Sequence, residues 1–468
     1  MSKKVLIVAL GDVYWTKFAK YFSSLAANDG VECVIAFESR AGEYQAFLGR
    51  SDYEAEKVYY LSDYVDVCTD YSDGDPAIVF GDYLRMMILG QRKEALNKNW
   101  SKASGLLDSF AKHVLDSENI GVIVSDTVST GLSYAFNQEA VSRDIEYVGL
   151  SGSRIPKHFI ASRTIRNEAD VVESYYKEIL DKGRPVSDEE RYWAESYIRD
   201  IDNQIPDYMA SPILNSVSMR KYFRVSYFKS LVGACLYSLI ERNDSRNIVL
   251  KAAPTKGLIT AIIRNLRRLL RANRVCECYS PISTLLNRKY FVYPIHYQPE
   301  ATTVIGSPYH VDQLAVIRNL AFSLPKGFFL CVKEHISNVG FPSLSFYQEI
   351  IGLPNVVLVS HDEDMKNLIR KSAGVVTLTS TAGFEALLLN RPVFHFGDIF
   401  YSFHPCAVRL SDWGKVKEIL SENNQGKEFD NVDFLVAYKR YAIEGRIDFS
   451  RTDFGISSVL MGLIKSKI

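Results

Sequence analysis

The chain has 468 residues, with 55 basic and 55 acidic side chains and a formal net charge of zero. That balance excludes whole-molecule steering toward nucleic acid, and 47% hydrophobic with 24% charged residues excludes a disordered chain. The length suits two or three domains, and no apolar run approaches the about 18 residues that a membrane-spanning helix needs.

Lys3–Leu10 reads as a first buried strand. Trp15, Phe18, Ala19, Phe22 and Leu25 then recur at helical spacing, and Val31–Phe37 returns as a strand, giving a βαβ unit. Only Gly11 stands at the turn, so the G-x-G-x-x-G dinucleotide fingerprint is missing. Asp12, at the strand's carboxyl end, reads as a helix N-cap or as an acceptor contact. Glu43 to Leu115 reads as helical and polar-aromatic. Val122–Ser125 is the next buried strand, followed by Asp126-Thr-Val-Ser-Thr-Gly131, a helix through Tyr134–Ser142 and the strand Tyr147–Leu150. Asp126, placed like Asp12, is a candidate general base or acceptor-orienting group, with a cap as the alternative.

Residues 165–245 read as inserted helices rich in Tyr and charge. Between Lys256 and Lys289, eight Lys and Arg side chains stand against Glu277 alone. Leu258, Ile259, Ile262, Ile263, Leu266, Leu269 and Leu270 keep helical periodicity among them. This basic amphipathic helix, Leu258–Arg274, suits an anionic membrane surface, or a core-facing helix with a solvated basic face.

Phe291–Ile295, Phe328–Val332, Val356–Ser360, Val375–Thr379 and Val393–Phe396 read as buried parallel strands separated by helices. In such doubly wound sheets, ligands sit at the carboxyl ends of the strands. Three polar runs fall there: residues 290–303, 332–335 and 379–389. In the last, Ser380 and Thr381 occupy the N-cap region of a helix starting near Ala382 or Gly383, an anion site in waiting. Gly383 would let a phosphate approach the backbone, and Glu385 could turn toward a ribose hydroxyl. The plain alternative is a capped helix packing Phe384, Leu387 and Leu388 on the sheet. Asp362 and Asp364 read as the cap of a helix Met365–Lys371, so no D-x-D metal pair is expected. The tail from Trp413 carries helical patterns at Val416–Ser421, Val432–Glu444 and Val459–Ile464.

Seven scattered cysteines, with Cys276 and Cys278 as C-x-C and no second pair, argue against zinc and fit a reducing compartment. With no signal-peptide core at the amino terminus, the expected location is the cytoplasm, peripheral on a membrane if the basic helix docks.

The runs Tyr293-Pro-Ile-His-Tyr-Gln-Pro-Glu300, Lys333-Glu-His335 and Thr379-Ser-Thr-Ala-Gly-Phe-Glu-Ala-Leu-Leu388, with Arg391-Pro-Val393 and Phe396-Gly-Asp398, resemble the bacterial capsule polysaccharide biosynthesis family. That family includes transferases of Kdo, an eight-carbon ulosonic acid. The resemblance spans about a quarter of the chain. The family's His-Pro after Lys-Glu is replaced, since Ile336 follows His335; a His-Pro pair stands instead at His404-Pro405. The resemblance implies a GT-B glycosyltransferase, two Rossmann-like domains facing a cleft with a helical insertion. Expected divisions are 1–160 on the acceptor side, 161–287 as the insertion, 288–412 for the nucleotide-sugar and 413–468 as a helical tail.

On this reading Ser380, Thr381 and Gly383 hold the donor phosphate, with Lys333 and His335 adding charge. Gln298 and Glu300 face sugar or acceptor, and Glu300 or Asp126 handles protons. The implied donor is a CMP-activated Kdo or related ulosonic acid, needing no metal and no resident cofactor. The partners would be that donor and a glycan or lipid-linked acceptor, with no nucleic acid. Alternatives of other classes are a non-catalytic nucleotide- or sugar-binding component of a polysaccharide assembly complex, and a UDP-sugar-dependent enzyme of the same fold.

Overall fold

The computed structural model describes residues 3–68, 72–88, 100–164, 167–209, 223–247, 254–298, 300–422, 429–447 and 455–467. Pro299 of the first motif run, and parts of the helical stretches expected at 43–115 and 165–245, lie outside those residues.

Two sheets organise the chain, the second parallel throughout and the first parallel except where His158–Ser162 runs antiparallel to its neighbours. The first holds β1 (Lys4–Ala9), β2 (Cys33–Phe37), β3 (Lys57–Tyr60), β4 (Ile120–Asp126), β5 (Glu146–Gly152) and β6 (His158–Ser162). The second holds β7 (Lys289–Pro294), β8 (Phe328–Lys333), β9 (Val356–Val359), β10 (Gly374–Thr377), β11 (Val393–His395) and β12 (Ala407–Arg409). A last short strand, β13 (Ile443–Glu444), returns to the first sheet. The strand orders are β13-β6-β5-β4-β1-β2-β3 and β12-β11-β10-β7-β8-β9. Both contain the 3-2-1-4-5 order of a doubly wound fold, with its switch point between β1 and β4 and between β7 and β10.

The central strands are buried on both faces, which is why they read as continuous apolar runs: Val5–Ala9, Phe291–Tyr293 and Val375–Val376 have no appreciable exposure. The stretch expected to be helical throughout 43–115 also contains the edge strand β3. Only four residues long and half exposed, β3 gives neither a long apolar run nor a clean alternation. β6, β12 and β13 escape sequence reading for the same reason; all three lie at or next to a sheet edge.

Among the described residues, the helices between the two sheets pack on the domains that flank them. Asn167–Leu180 and Asp188–Arg199 pack on the tail helix Asn431–Tyr441, and Val172, Tyr176, Ala194 and Tyr197 share one core with Phe384, Leu387 and Tyr438. Val225–Ile240 packs on Ala41–Phe47 of the first domain. The tail crosses back: Ile443 pairs with Phe159, and Leu460, Met461 and Ile464 of the helix Ser457–Lys465 join the core of Phe18 and Phe22. Among the described residues no helix is long and apolar enough to cross a membrane.

Candidate functional site

The three polar runs meet at the switch point of the second sheet, and one residue ties them together. His296 follows β7. Its Nε2 accepts from Thr377 Oγ1 at 3.0 Å and from the Thr379 amide at 3.3 Å. Its amide donates to Gln313 Oε1, and its carbonyl accepts from Gln313 Nε2 and from Asn338 Nδ2. Because Nε2 accepts, Nδ1 carries the proton, and that N–H finds no partner among the described residues. Burial pushes the imidazole down to about 3, so it is neutral. Sequence reading quoted His296 in the motif and gave it no role. Its signal was position alone, the first polar side chain after a buried strand.

Tyr297 lies 6.0 Å from the His335 ring, nearly parallel to it. His335 Nδ1 accepts from the Ser337 amide, leaving Nε2–H as the donor. Burial, and then the charges of Lys333 and Arg268, hold His335 down to about 4. The positive charge expected of it is therefore absent at neutral pH, and what it offers is a neutral hydrogen-bond donor. Lys333 departs further from expectation. It is buried, and its Nζ donates to the His361 carbonyl at 2.9 Å. Gln298 likewise gives its amide to the Val311 carbonyl. Glu300 is exposed at the start of the turn Ala301–Val304.

At the head of the helix Thr381–Leu388, Ser380 is the N-cap, its Oγ accepting from the Ala382 amide. Thr381 Oγ1 meets Tyr208 Oη at 2.9 Å. At Gly383 a Cβ would overlap the Tyr401 ring and hydroxyl, so the glycine makes room for Tyr401. Tyr401 in turn donates to the Ser380 carbonyl at 2.8 Å. Glu385 is partly buried, and that desolvation pushes it up to about 7, with Lys366 Nζ 3.9 Å away. It lines a small cavity beside Arg154, Gln204 and Thr381.

Between the domains lies a cavity of about 260 Å³. Thr127 and Ser151 line it from the first sheet, Thr379 and Asp398 from the second. Behind them Arg154 pairs with Glu168 and reaches Tyr438, and Asp398 pairs with Arg409 at 2.8 Å. None of these four charged residues was singled out as a site residue from sequence, since each becomes notable only when the two sheets face each other. Asp126 sits at this rim as a loop cap, its Oδ1 accepting from the Thr127 amide and its Oδ2 from Ser129 Oγ. Asp12 is an N-cap, accepting from the Trp15 amide. Asp364 caps Met365–Lys371 in the same way. His404, of the displaced His-Pro pair, is buried and bonded to Asn431, away from these groups. Among the described residues no group of three or more His, Cys, Asp or Glu could hold a metal ion.

Glu334 makes a pH prediction. Burial raises its carboxyl to about 7, against the lowering by Tyr347 and the His335 amide. A carboxyl that binds its proton more tightly folded than unfolded stabilises the fold at low pH. That contribution is lost as pH rises from about 4 to about 7. Denaturant unfolding at pH 5 and pH 8 should show the loss, and Glu334→Gln should shrink the difference by roughly 2–3 kcal/mol. Identical pH dependence in both proteins would show that Glu334 is ionised in the fold.

Comparison with known proteins bears on the same segment. Residues 215–409 match the family model described as capsule polysaccharide biosynthesis protein. That segment, less than half of the chain, is what is similar to the capsule polysaccharide biosynthesis family. The matched segment begins upstream of the motif runs and takes in the helices Val225–Ile240 and Pro254–Cys276 as well as the second sheet. A curated relative, the capsule polysaccharide export protein KpsS of Escherichia coli, is 32% identical over 90 residues. That match spans 18% of this chain and 23% of the relative, so less than a quarter of its length is covered. Among solved structures, Thermosulfurimonas dismutans KpsC, a beta Kdo 2,4 transferase, aligns over 69% of this chain and 80% of its own at 14% identity, TM-score 0.38. The S. aureus MnaA–UDP co-structure aligns over 100% and 96% at 11% identity, TM-score 0.28. Likenesses this distant carry nothing about activity.

Proposed function

We propose that this protein is a glycosyltransferase of capsule-type polysaccharide synthesis, passing a sugar from a nucleotide donor to a glycan or lipid-linked acceptor. One observation carries the reading. The switch points of two doubly wound sheets open on a common crevice, and on the second sheet the family-like motif ends in a helix N-terminus flanked by Thr381 and Ser380. The donor phosphate would lie against that N-terminus, with Thr381 Oγ1 and His335 Nε2–H as further donors. As the anomeric carbon–oxygen bond breaks, the nucleotide leaves with the electron pair. The acceptor oxygen bonds the anomeric carbon, and its proton passes to a carboxylate, Glu300 by preference. Asp126 ranks second because Glu300 lies inside the motif that resembles the family, whereas Asp126 rests on placement at a strand end alone.

The donor would be CMP-activated Kdo or a related ulosonic acid, as the motif resemblance suggests. A single-phosphate donor fits a site where Lys333 is turned away and His335 is neutral, since one phosphate needs less countercharge than two. Work would take place at the cytoplasmic face of a membrane. Calorimetry with CMP- and UDP-sugars, with and without EDTA, tests this. The CMP-sugar should bind in chelator as well as in Mg²⁺, and Ser380→Ala with Thr381→Ala should weaken it by roughly 1–3 kcal/mol. Binding of a UDP-sugar alone, dependent on Mg²⁺, would move the donor class; binding of no nucleotide would end the transferase reading.

A further inference from the structure

The helix Pro254–Cys276 lies the other way round from what its arginines suggest. Arg268 is buried, its Nε donating to the Val339 carbonyl at 2.6 Å and its Nη2 to the Ile336 carbonyl at 2.9 Å. Arg271 reaches the carbonyls of Phe341 and Pro342, and Arg264 lies over the Phe341 ring. The inward face is thus basic, and it holds the loop that follows His335.

The outward face is apolar. Ile259, Ile263, Leu266 and Leu270 recur at spacings of four, three and four, one stripe of a helix, and all are exposed, Leu270 to 79%. The helix Val225–Ile240 packs beside it, with Tyr227 Oη on the Leu258 carbonyl. It buries Gly233, Ala234 and Tyr237 and exposes Val225, Phe228 and Leu239, again one stripe opposite the packed face. Exposed cations edge both stripes: Lys256, Arg267 and Arg274 on one helix, Lys229 on the other. Neither helix contains an Asp or Glu. Apolar surface of this extent is unusual on a protein that meets only water, and a rim that is basic along both helices, with Glu277 just past Cys276 as the carboxylate set against it, complements an anionic partner.

We infer that these two helices are a docking surface for an anionic lipid bilayer. Ile259, Ile263, Leu266, Leu270 and Phe228 enter the boundary between headgroups and acyl chains, while Lys256, Arg267 and Arg274 meet lipid phosphates. Arg268 and Arg271, which sequence alone would assign to the lipid, hold the protein together instead. The inference deepens the proposed membrane location of the transferase and rests on that reading for its purpose, not for its geometry.

Co-sedimentation of the full chain with phosphatidylglycerol and phosphatidylcholine vesicles, at low and high salt, tests it. At low salt, phosphatidylglycerol should be bound about ten-fold or more over phosphatidylcholine, and salt should weaken the binding. Leu266→Glu with Leu270→Glu should lower binding about ten-fold or more, and Arg267→Gln with Arg274→Gln several-fold, with less salt dependence. All four positions are exposed, so thermal unfolding should not move. No binding by the wild type at low salt, or equal binding by the leucine variant, overturns the surface. So does a wild-type dimer that ignores vesicles and that the leucine variant converts to monomer, because a second copy then covers the stripe. Nucleotide calorimetry on the same samples separates the two ideas. Vesicle binding without nucleotide binding would sink the transferase and keep the surface; the reverse would do the opposite.

Discussion

Glu300→Gln should lower turnover by roughly 10²–10⁴-fold, the usual weight of a group that moves a proton in the transition state and the role proposed for Glu300. The amide keeps the shape of the side chain and removes its basicity, and nucleotide affinity should stay where it was. Glu300 is exposed beside the crevice, and its charge is felt by Tyr208 and Tyr297, two rings that border the motif residues Thr381 and His335. Asp126→Asn is the comparison. Its oxygens accept from Thr127 and Ser129, so the amide should disturb the loop, lowering stability as well as rate. Steady-state kinetics beside thermal unfolding distinguishes them. Full turnover in both amide variants would remove both carboxylates as the proton-handling group and leave each a substrate-positioning role.

The second large effect concerns Gly383→Ala, where the sign decides. In an open helix position, alanine would stabilise by up to about 1 kcal/mol over glycine. Here the added methyl would overlap the hydroxyl and ring of Tyr401, which is fully buried and donates to the Ser380 carbonyl. Tyr401 cannot swing aside without losing that bond and its contacts with Phe400 and His395. The expected result is destabilisation of roughly 1–3 kcal/mol, the range for overpacking a filled core. In a Tyr401→Ala background, the same substitution should cost far less, a coupling that denaturant unfolding of the four proteins measures. If Gly383→Ala folds with undiminished stability and loses only nucleotide affinity, the glycine serves the ligand and not Tyr401.

Much of the second domain was legible because its information is local. Buried parallel strands show as short β-branched or aromatic runs, and their carboxyl ends can be counted along the chain; β7, β8 and β10 stand within a residue or two of where Phe291–Ile295, Phe328–Val332 and Val375–Thr379 placed them. N-caps were legible for the same reason: Asp12, Ser380 and Asp364 each bond an amide two or three residues on. What a side chain does beyond its own turn was not. Lys333 and Gln298 are polar residues at strand ends in sequence, yet both spend their donors on distant carbonyls, those of His361 and Val311. Arg154, Glu168 and Asp398 gained meaning only when folding set one sheet against the other.

The helix Pro254–Cys276 draws the line most clearly. Its sequence determines that it is a helix with one apolar stripe and one basic face, because periodicity is a property of the chain alone. It does not determine which face turns inward. Apolar residues go inside by default, but the loop 336–342 presents carbonyls that need donors, and a guanidinium can satisfy several of them at once. Arg268 and Arg271 meet that need, so the arginines went in and the stripe of Ile259, Ile263, Leu266 and Leu270 was left outside. Only the tertiary structure holds that choice, since the unpaired carbonyls belong to a segment some seventy residues away.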